Sequence, residues 1–451
     1  MFGSNAVGWL KVILENRFGL AFDLDCQMGR SNVLVLTLPG HSGQITFDTL
    51  CPEFWSSNND FPCAQWDPRD SNLQPPLGLP IPAPAMSTID RKLCEFHDGS
   101  AVFHYDVLGL TYWCLNRLEE FEGSPRDLHG RYPAFASHAV RNGYLDRPIV
   151  DEWLMVLGQV IAHVWPGVPL RRSEFAIRIS HDVDWPGLYN FQPVTVMAKS
   201  AINRSIVNRS LWPLIIAPVV WLFRNKTISK FDPANTFDWL MDVSDELGLT
   251  NAFYFVCGET NTNYDPGYSI DNPSLSDLIG RISGRGHEIG LHPSYETFRN
   301  PTAFNAEFSR LRQVCEREGV KQEAFGGRMH FLRWDQSITP RLWAESGLSY
   351  DSSLGYAEKA GFRCGTCHDF PVFDHQRQEM LSLIERPLIA METTLFDSQY
   401  MAIDNRQDAF SHCGHLMNHC KRVGGNFNFL WHNSGFKSDK DKDLYSRIVH
   451  S

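Results

Sequence analysis

Ile177-Arg178-Ile179-Ser180-His181-Asp182-Val183-Asp184-Trp185-Pro186 is an apolar, strand-like run that ends abruptly in two acids and a histidine. A strand whose carboxyl end carries clustered ionisable groups is where an α/β enzyme keeps its chemistry. The competing structural reading is an exposed acidic turn closed by Pro186. The sequence on either side decides between them.

Downstream the periodicity is regular. Phe237, Leu240, Met241 and Leu247 recur at helical spacing and stop at Gly248, and Ala252-Phe253-Tyr254-Phe255-Val256 reads as a buried strand. Leu275, Leu278, Ile279 and Ile282 make the next helix, and Glu288 to His292 a short strand ending in a histidine. Phe304, Phe308, Leu311 and Cys315 make a further helix before Gly319. Helix and strand in alternation imply a parallel sheet, and polar clusters at successive strand ends fit a (β/α) barrel better than an open sheet with one crevice.

Upstream, Asn32 to Leu38 reads as a strand, Pro39-Gly40 as a turn and Ile45 to Phe47 as a second strand. Pro75 to Pro84 must be irregular or extended. A helix from about Ile149 ends at Trp165-Pro166-Gly167. Asp106, Glu119, Glu120, Arg126 and Asp127 show no catalytic spacing. The expected organisation is a smaller accessory α/β domain over 1–168 followed by a distorted (β/α) barrel over 169–451.

The chain has 451 residues, 43% of them hydrophobic, enough for two cores. Its net charge of -11 argues against a general nucleic-acid binder. Residues 1–16 show no secretory signal, and no apolar run reaches the eighteen or so residues of a spanning helix. Eleven cysteines, an odd number, fit reduced thiols. The expectation is a cytoplasmic protein.

Residues 187–231 invert the local charge: they contain Lys199, Arg204, Arg209, Arg224, Lys226 and Lys230 and no acid. The run Leu211 to Phe223 is too short and too broken by proline to span a bilayer, yet able to lie on one. Two readings stand: a buried lid with solvated cations, or peripheral contact with the inner face of a membrane or an anionic carrier.

Five polar clusters occupy comparable places in the repeating scheme. They are Asp182 and Asp184; His287 and His292 with Glu296; Arg328, His330 and Arg333; Tyr350, Asp351 and Ser352; and His432. A carboxylate and imidazoles hold a divalent ion, the ion acidifies water, a second carboxylate accepts the proton, and a distant imidazole protonates the leaving group. The set has the parts for metal-assisted hydrolysis.

From about Phe175 to His432 the sequence resembles the polysaccharide deacetylases of the carbohydrate esterase type. Ser-His-Asp-Val-Asp-Trp-Pro resembles their first motif, Gly286-His287-Glu288-Ile289-Gly290-Leu291-His292 the second, Arg328 in Gly-Gly-Arg the third, Tyr350-Asp351-Ser352-Ser353 the fourth and Leu430-Trp431-His432 the fifth. The wording is similar to a bacterial branch linked to surface-polysaccharide synthesis, in which an uncharacterised N-terminal domain precedes the barrel.

The resemblance implies Asp182 as base, Asp184 and His292 as ligands of a divalent metal, expected to be Zn2+, Arg328 as the residue that orients the base, and His432 as acid. It further implies substrate contacts from Tyr350, Asp351 and Trp431 and an N-acetylated sugar or glycan as substrate. The intervening Val183 leaves open the reverse assignment of Asp182 and Asp184. Where the family carries a second metal histidine, four residues after the first, this chain has Glu296. The third ligand is then His330, which shares a strand side with Arg328, or alternatively Glu296 in the loop after Pro293.

Three other readings compete. Cys364, Cys367 and His368, with His412, Cys413, His415, His419 and Cys420, could close a structural zinc site, unless the helical residues face different ways. The same barrel could hydrolyse another C–N bond, such as a small cyclic amide. A catalytically silent glycan-binding protein would keep the cleft but need neither Asp182 nor His432.

Overall fold

The computed structural model describes residues 3–27, 33–121, 123–223 and 228–451; the expectations at Asn32, Arg224 and Lys226 fall outside them. The principal sheet has nine strands: β1 (Ala176–Val183), β2 (Asn251–Val256), β3 (Glu288–His292), β4 (Gly326–Gly327), β5 (Tyr350–Asp351), β6 (Phe370–Asp374), β7 (Glu379–Glu385), β8 (Ala390–Met391) and β9 (Asn426–Leu430). Their order is β6-β7-β5-β4-β3-β2-β1-β9-β8. All neighbours run parallel except β6 and β7.

With β6 set aside, this is the chain order wrapped on itself, as in a (β/α) barrel. The wrap is incomplete, because β7 and β8 form no ladder with each other among the described residues. The sheet is therefore a curled part-barrel with one open seam, the form that the expected distorted (β/α) barrel takes among the described residues. Periodicity reports the presence of strands, not whether the last pair meets.

Alternation along β1 sends Ser180 and Asp182 to one side, where Arg328 reaches both, and His181 to the other, against Phe253 and Tyr445. Arg328 follows β4, three places from β1 in the sheet, so its contact with Asp182 reflects the curl. Close approach of strands sets the sequence here: a Cβ on Gly327 would lie 1.8 Å from the Leu291 carbonyl oxygen, and one on Gly326 2.2 Å from the Tyr350 ring. Only glycine fits.

The first 168 residues contain a five-stranded sheet in the spatial order Asp23–Gln27, Val33–Thr37, Gln44–Phe47, Ser100–Phe103, Cys94–His97. The end of the proline-rich segment, Ile81–Pro84, is extended and pairs with Cys63–Trp66. Helix Ile149–Val164 packs beneath, and residues 168–175 join it to β1 without regular structure.

The expected boundary falls in that stretch, but the packing does not stop there. One hydrophobic core runs through both parts of the chain. Trp9 Nε1 donates to the Pro371 carbonyl at 2.8 Å, and the Val150 N–H to the Gly365 carbonyl at 2.8 Å. Glu120, fully buried, accepts from Arg117 at 2.7 Å and from Arg363 at 2.9 Å. Two guanidiniums outweigh the burial that opposes ionisation of Glu120 and hold its carboxyl down at about 2.

The basic segment forms two helices, α1 (Val194–Asn208) and α2 (Trp212–Leu222), between β1 and β2. Among the described residues no helix is long and apolar enough to cross a membrane.

Candidate active site and metal centre

A cavity of about 310 Å³ opens where β1, β3, β4 and β9 end, and Asp182, Asp184, His292, His330 and His432 all line it. Four separate chain segments thus deliver their ionisable groups to one point. Alternation directs residues two apart, such as Asp182 and Asp184, to the same side of a strand. Asp182 is within β1 and faces inward, whereas Asp184 lies just past the strand end, where the chain turns.

The two acids have different surroundings. Asp182 Oδ1 accepts from Arg328 Nη1 at 2.7 Å. The rest of that guanidinium is held by the Ser352 carbonyl at 2.8 Å, Ser180 Oγ at 2.9 Å and Ser352 Oγ at 3.0 Å. A fully bonded, buried arginine fixes the carboxylate in place. Asp184 Oδ1 instead is buried without a hydrogen-bond partner, 3.2 Å from His292 Nε2 and 3.8 Å from His330 Nε2. Burial opposes its ionisation, but His330, His292 and His432 outweigh that and hold the carboxyl well below the ordinary range.

Both imidazoles are aimed from behind. His292 Nδ1 pairs with the Arg328 carbonyl at 2.6 Å, so that nitrogen carries a proton and Nε2 faces the cavity. His330 Nδ1 meets Asp265 Oδ1 at 3.0 Å, and Asp265 is itself fixed by the backbone N–H groups of Thr260, Asn261 and Tyr295 at 2.8 Å each. A histidine oriented through its far nitrogen by a carbonyl or carboxylate is the arrangement that metal sites use.

One ligand atom from each of Asp184, His292 and His330 lies within 4.8 Å of the other two. Tetrahedral ligation at about 2.1 Å separates ligand atoms by about 3.4 Å, and the observed 3.2 and 3.8 Å bracket that value. The orphaned carboxylate oxygen and the two pinned imidazoles therefore fit a divalent ion. Glu296 is turned elsewhere: its Oε2 accepts from Arg333 Nη1 at 2.9 Å, and its side chain is 44% exposed.

His432 closes the opposite wall. Its Nε2 is 3.5 Å from Asp184 Oδ2, and its Nδ1 is 2.6 Å from Glu392 Oε1. Burial disfavours the imidazolium, but Glu392, then Asp184 and Asp182, outweigh it and push the ring up to about 10. The neighbouring His181 differs: burial lowers it to about 3, and its Nδ1–H donates to the Trp431 carbonyl at 2.7 Å. A neutral imidazole there ties β1 to the chain just before His432.

The expected substrate contacts lie elsewhere. The Tyr350 hydroxyl bonds Glu288 and lies 3.1 Å from that of Tyr254. Asp351 accepts from Ser353 Oγ at 2.6 Å and from the Ser353 N–H at 2.8 Å. Trp431 is fully buried and stacks on Phe436 at 5.1 Å. None of the three lines the cavity. This corrects the expectation for each: a motif fixes position along the chain, but strand alternation and helix packing turn these side chains inward.

Sequence reasoning missed three residues. Glu392 follows the short strand β8 and obeys the same strand-end rule as Asp182, so that rule could have found it. Asp265 lies in a loop and carried no signal. Arg131 lines the cavity although it belongs to the first 168 residues, from which no contribution was expected. Its Nε donates to Asp127 Oδ2 at 2.7 Å and its Nη1 to the Phe331 carbonyl at 3.1 Å.

The cysteine and histidine clusters do not close a common site among the described residues. Asp151, Cys367 and His368 come together, but Asp151 is already taken by Arg17, by Thr366 Oγ1 at 2.7 Å and by the Cys367 N–H at 2.9 Å. His415 and His419 turn to Asp146, at 3.0 and 2.8 Å, and Cys413 and Cys420 are buried on the other side of their helix.

A family model described as a family of unknown function, DUF7033, matches residues 44–166. No curated protein matches the chain. Solved structures similar to it at low identity include the following three. A protein assigned to the polysaccharide deacetylases from Mycobacterium smegmatis shares 16% identity at a TM-score of 0.40, over 63% of this chain and 85% of its own. One assigned likewise from Pseudomonas aeruginosa PAO1 shares 9% at 0.40, over 64% and 89%. The allantoinase Puue shares 10% at 0.38, over 63% and 85%.

Proposed function

We propose that the protein is a metal-dependent hydrolase that removes the N-acetyl group from an amino sugar of a surface polysaccharide or its precursor. The observation that carries this reading is the division of labour around one cavity. Asp182 is bonded to Arg328, Asp184 is left without a partner beside two oriented imidazoles, and His432 is paired with Glu392 on the facing wall.

Asp184, His292 and His330 would hold the ion, a donor set of one carboxylate and two imidazoles that zinc accepts. Bound there, the ion would acidify water and stabilise negative charge on the carbonyl oxygen. Asp182 accepts a proton as the water oxygen bonds to the acyl carbon, and Arg328 keeps that carboxylate in place. His432, held as imidazolium by Glu392, gives its proton to the sugar nitrogen as the C–N bond breaks. Acetate and a free amine result, so atoms and protons balance. The fixed acid and base also count against a silent glycan-binding protein, which has no use for either.

The test is acetate release from N-acetylated sugar nucleotides and glycans by zinc-loaded protein, comparing wild type with Asp182→Asn and His432→Ala. Loss of a positioned base or acid costs roughly 10²–10⁴-fold in rate. Release by wild type and loss in both variants supports the reading; bound zinc with no hydrolysis of any acylated sugar refutes it.

A further inference from the structure

The segment between β1 and β2 presents an apolar surface that the described residues leave exposed. Of nineteen exposed large hydrophobic residues among the described residues, twelve fall between Val194 and Phe231, so the exposure is concentrated and not scattered. Ile206, Leu211, Ile215 and Leu222 are 70%, 72%, 61% and 69% exposed. Patches of this kind on an otherwise polar surface mark an interaction site.

Of the two helices α2 is apolar on both sides, whereas α1 also carries Lys199, Asn203 and Arg204. Their inward faces form a small core of their own, with Met197 and Ala201 of α1 against Ile216, Ala217 and Val220 of α2. The outward face of α2 is as apolar as the inward one, since Trp212-Pro-Leu-Ile-Ile-Ala-Pro-Val-Val-Trp-Leu222 contains no polar side chain. A helix hydrophobic all round belongs in a core or in lipid, yet this one has eleven residues and cannot span a bilayer.

Charge selects the occupant. Residues 187–231 contain six cations and no acid in a chain of net charge -11. A second copy would bring like charges face to face, whereas anionic headgroups complement them. The surface is also tied to the cavity. Asn433, next to His432, donates to the Trp185 carbonyl at 2.9 Å and the Ala234 carbonyl at 2.8 Å, at the two roots of the segment. Trp185 and the loop residues Ser434, Gly435 and Lys437 line the cavity itself.

We propose that α1 and α2 form a monotopic membrane-binding surface that docks the protein on anionic lipid and places the cavity beside the headgroup layer. The observations behind it are independent of the hydrolase reading, and its test needs no turnover.

Purified full-length protein is floated with vesicles of phosphatidylcholine alone or of equal parts phosphatidylcholine and phosphatidylglycerol. Wild type is expected to float with the anionic vesicles, less with the neutral ones, and to be released by high salt. Ile215→Glu and Leu222→Glu are expected to remain unbound, with thermal midpoints near wild type because both positions are exposed. Lys199→Glu and Lys230→Glu keep the apolar face and are expected to weaken binding at least fivefold each. Wild type that floats with neither vesicle overturns the proposal. Equal floating with both kinds overturns it too, as does a soluble dimer that Ile215→Glu dissociates while vesicles stay bare.

Discussion

His330→Ala tests the metal centre where the sequence left it ambiguous. His330 Nε2 lies 3.8 Å from Asp184 Oδ1, and its Nδ1 is held by Asp265, whereas Glu296 is engaged by Arg333. Losing the partner behind a ligating histidine costs about 10–100-fold in metal affinity, or roughly 1.4–2.8 kcal/mol. Asp265→Asn should therefore weaken zinc binding by about that factor. His330→Ala, which removes the ligand itself, should weaken it by more than about 100-fold. Glu296→Gln breaks only a half-exposed ion pair and should leave affinity within about threefold, since such pairs contribute about 1 kcal/mol or less. The assay is competition for zinc against a chromophoric chelator, with the metal-free melting midpoint of each variant measured alongside. If Glu296→Gln loses zinc as fully as His330→Ala, or His330→Ala binds like wild type, the assignment fails.

Three further outcomes follow from the geometry. In Glu392→Gln the main charge that raises His432 is gone, so the alkaline limb of the pH–rate profile should move to lower pH; an unmoved limb would deny His432 its role as acid. The same pair is linked to stability: because the folded His432 lies above its ordinary 6.5, its contribution is full below that pH and is lost as pH rises towards about 10. The stability deficit of Glu392→Gln in chemical denaturation should therefore be larger at pH 6 than at pH 10. Arg363→Met leaves buried Glu120 with one guanidinium in place of two and should cost about 3–5 kcal/mol, read from denaturant midpoints at constant m; a cost below about 1 kcal/mol would show that the two parts of the chain are not locked there.

The sequence alone determined the parallel sheet, the strands that carry Asp182 and His292, and the oppositely charged segment after β1, whereas Arg328 and His330, expected on one strand, both lie past the end of β4. Those features are local: alternation, helical spacing and composition are written within a dozen residues. What only the tertiary structure decided depends on which segments meet. Asp184 separates from Asp182 because the chain turns after Val183, and Glu296 is removed from the site because Arg333 captures it. Asp265, Glu392 and Arg131 enter because loops from distant parts of the chain close over the strand ends. Tyr350 and Trp431 stand beside motif residues in the sequence yet point into packed interior. The open seam between β7 and β8 has the same origin, since a hydrogen-bonded ladder between strands is a property of their meeting and not of either strand.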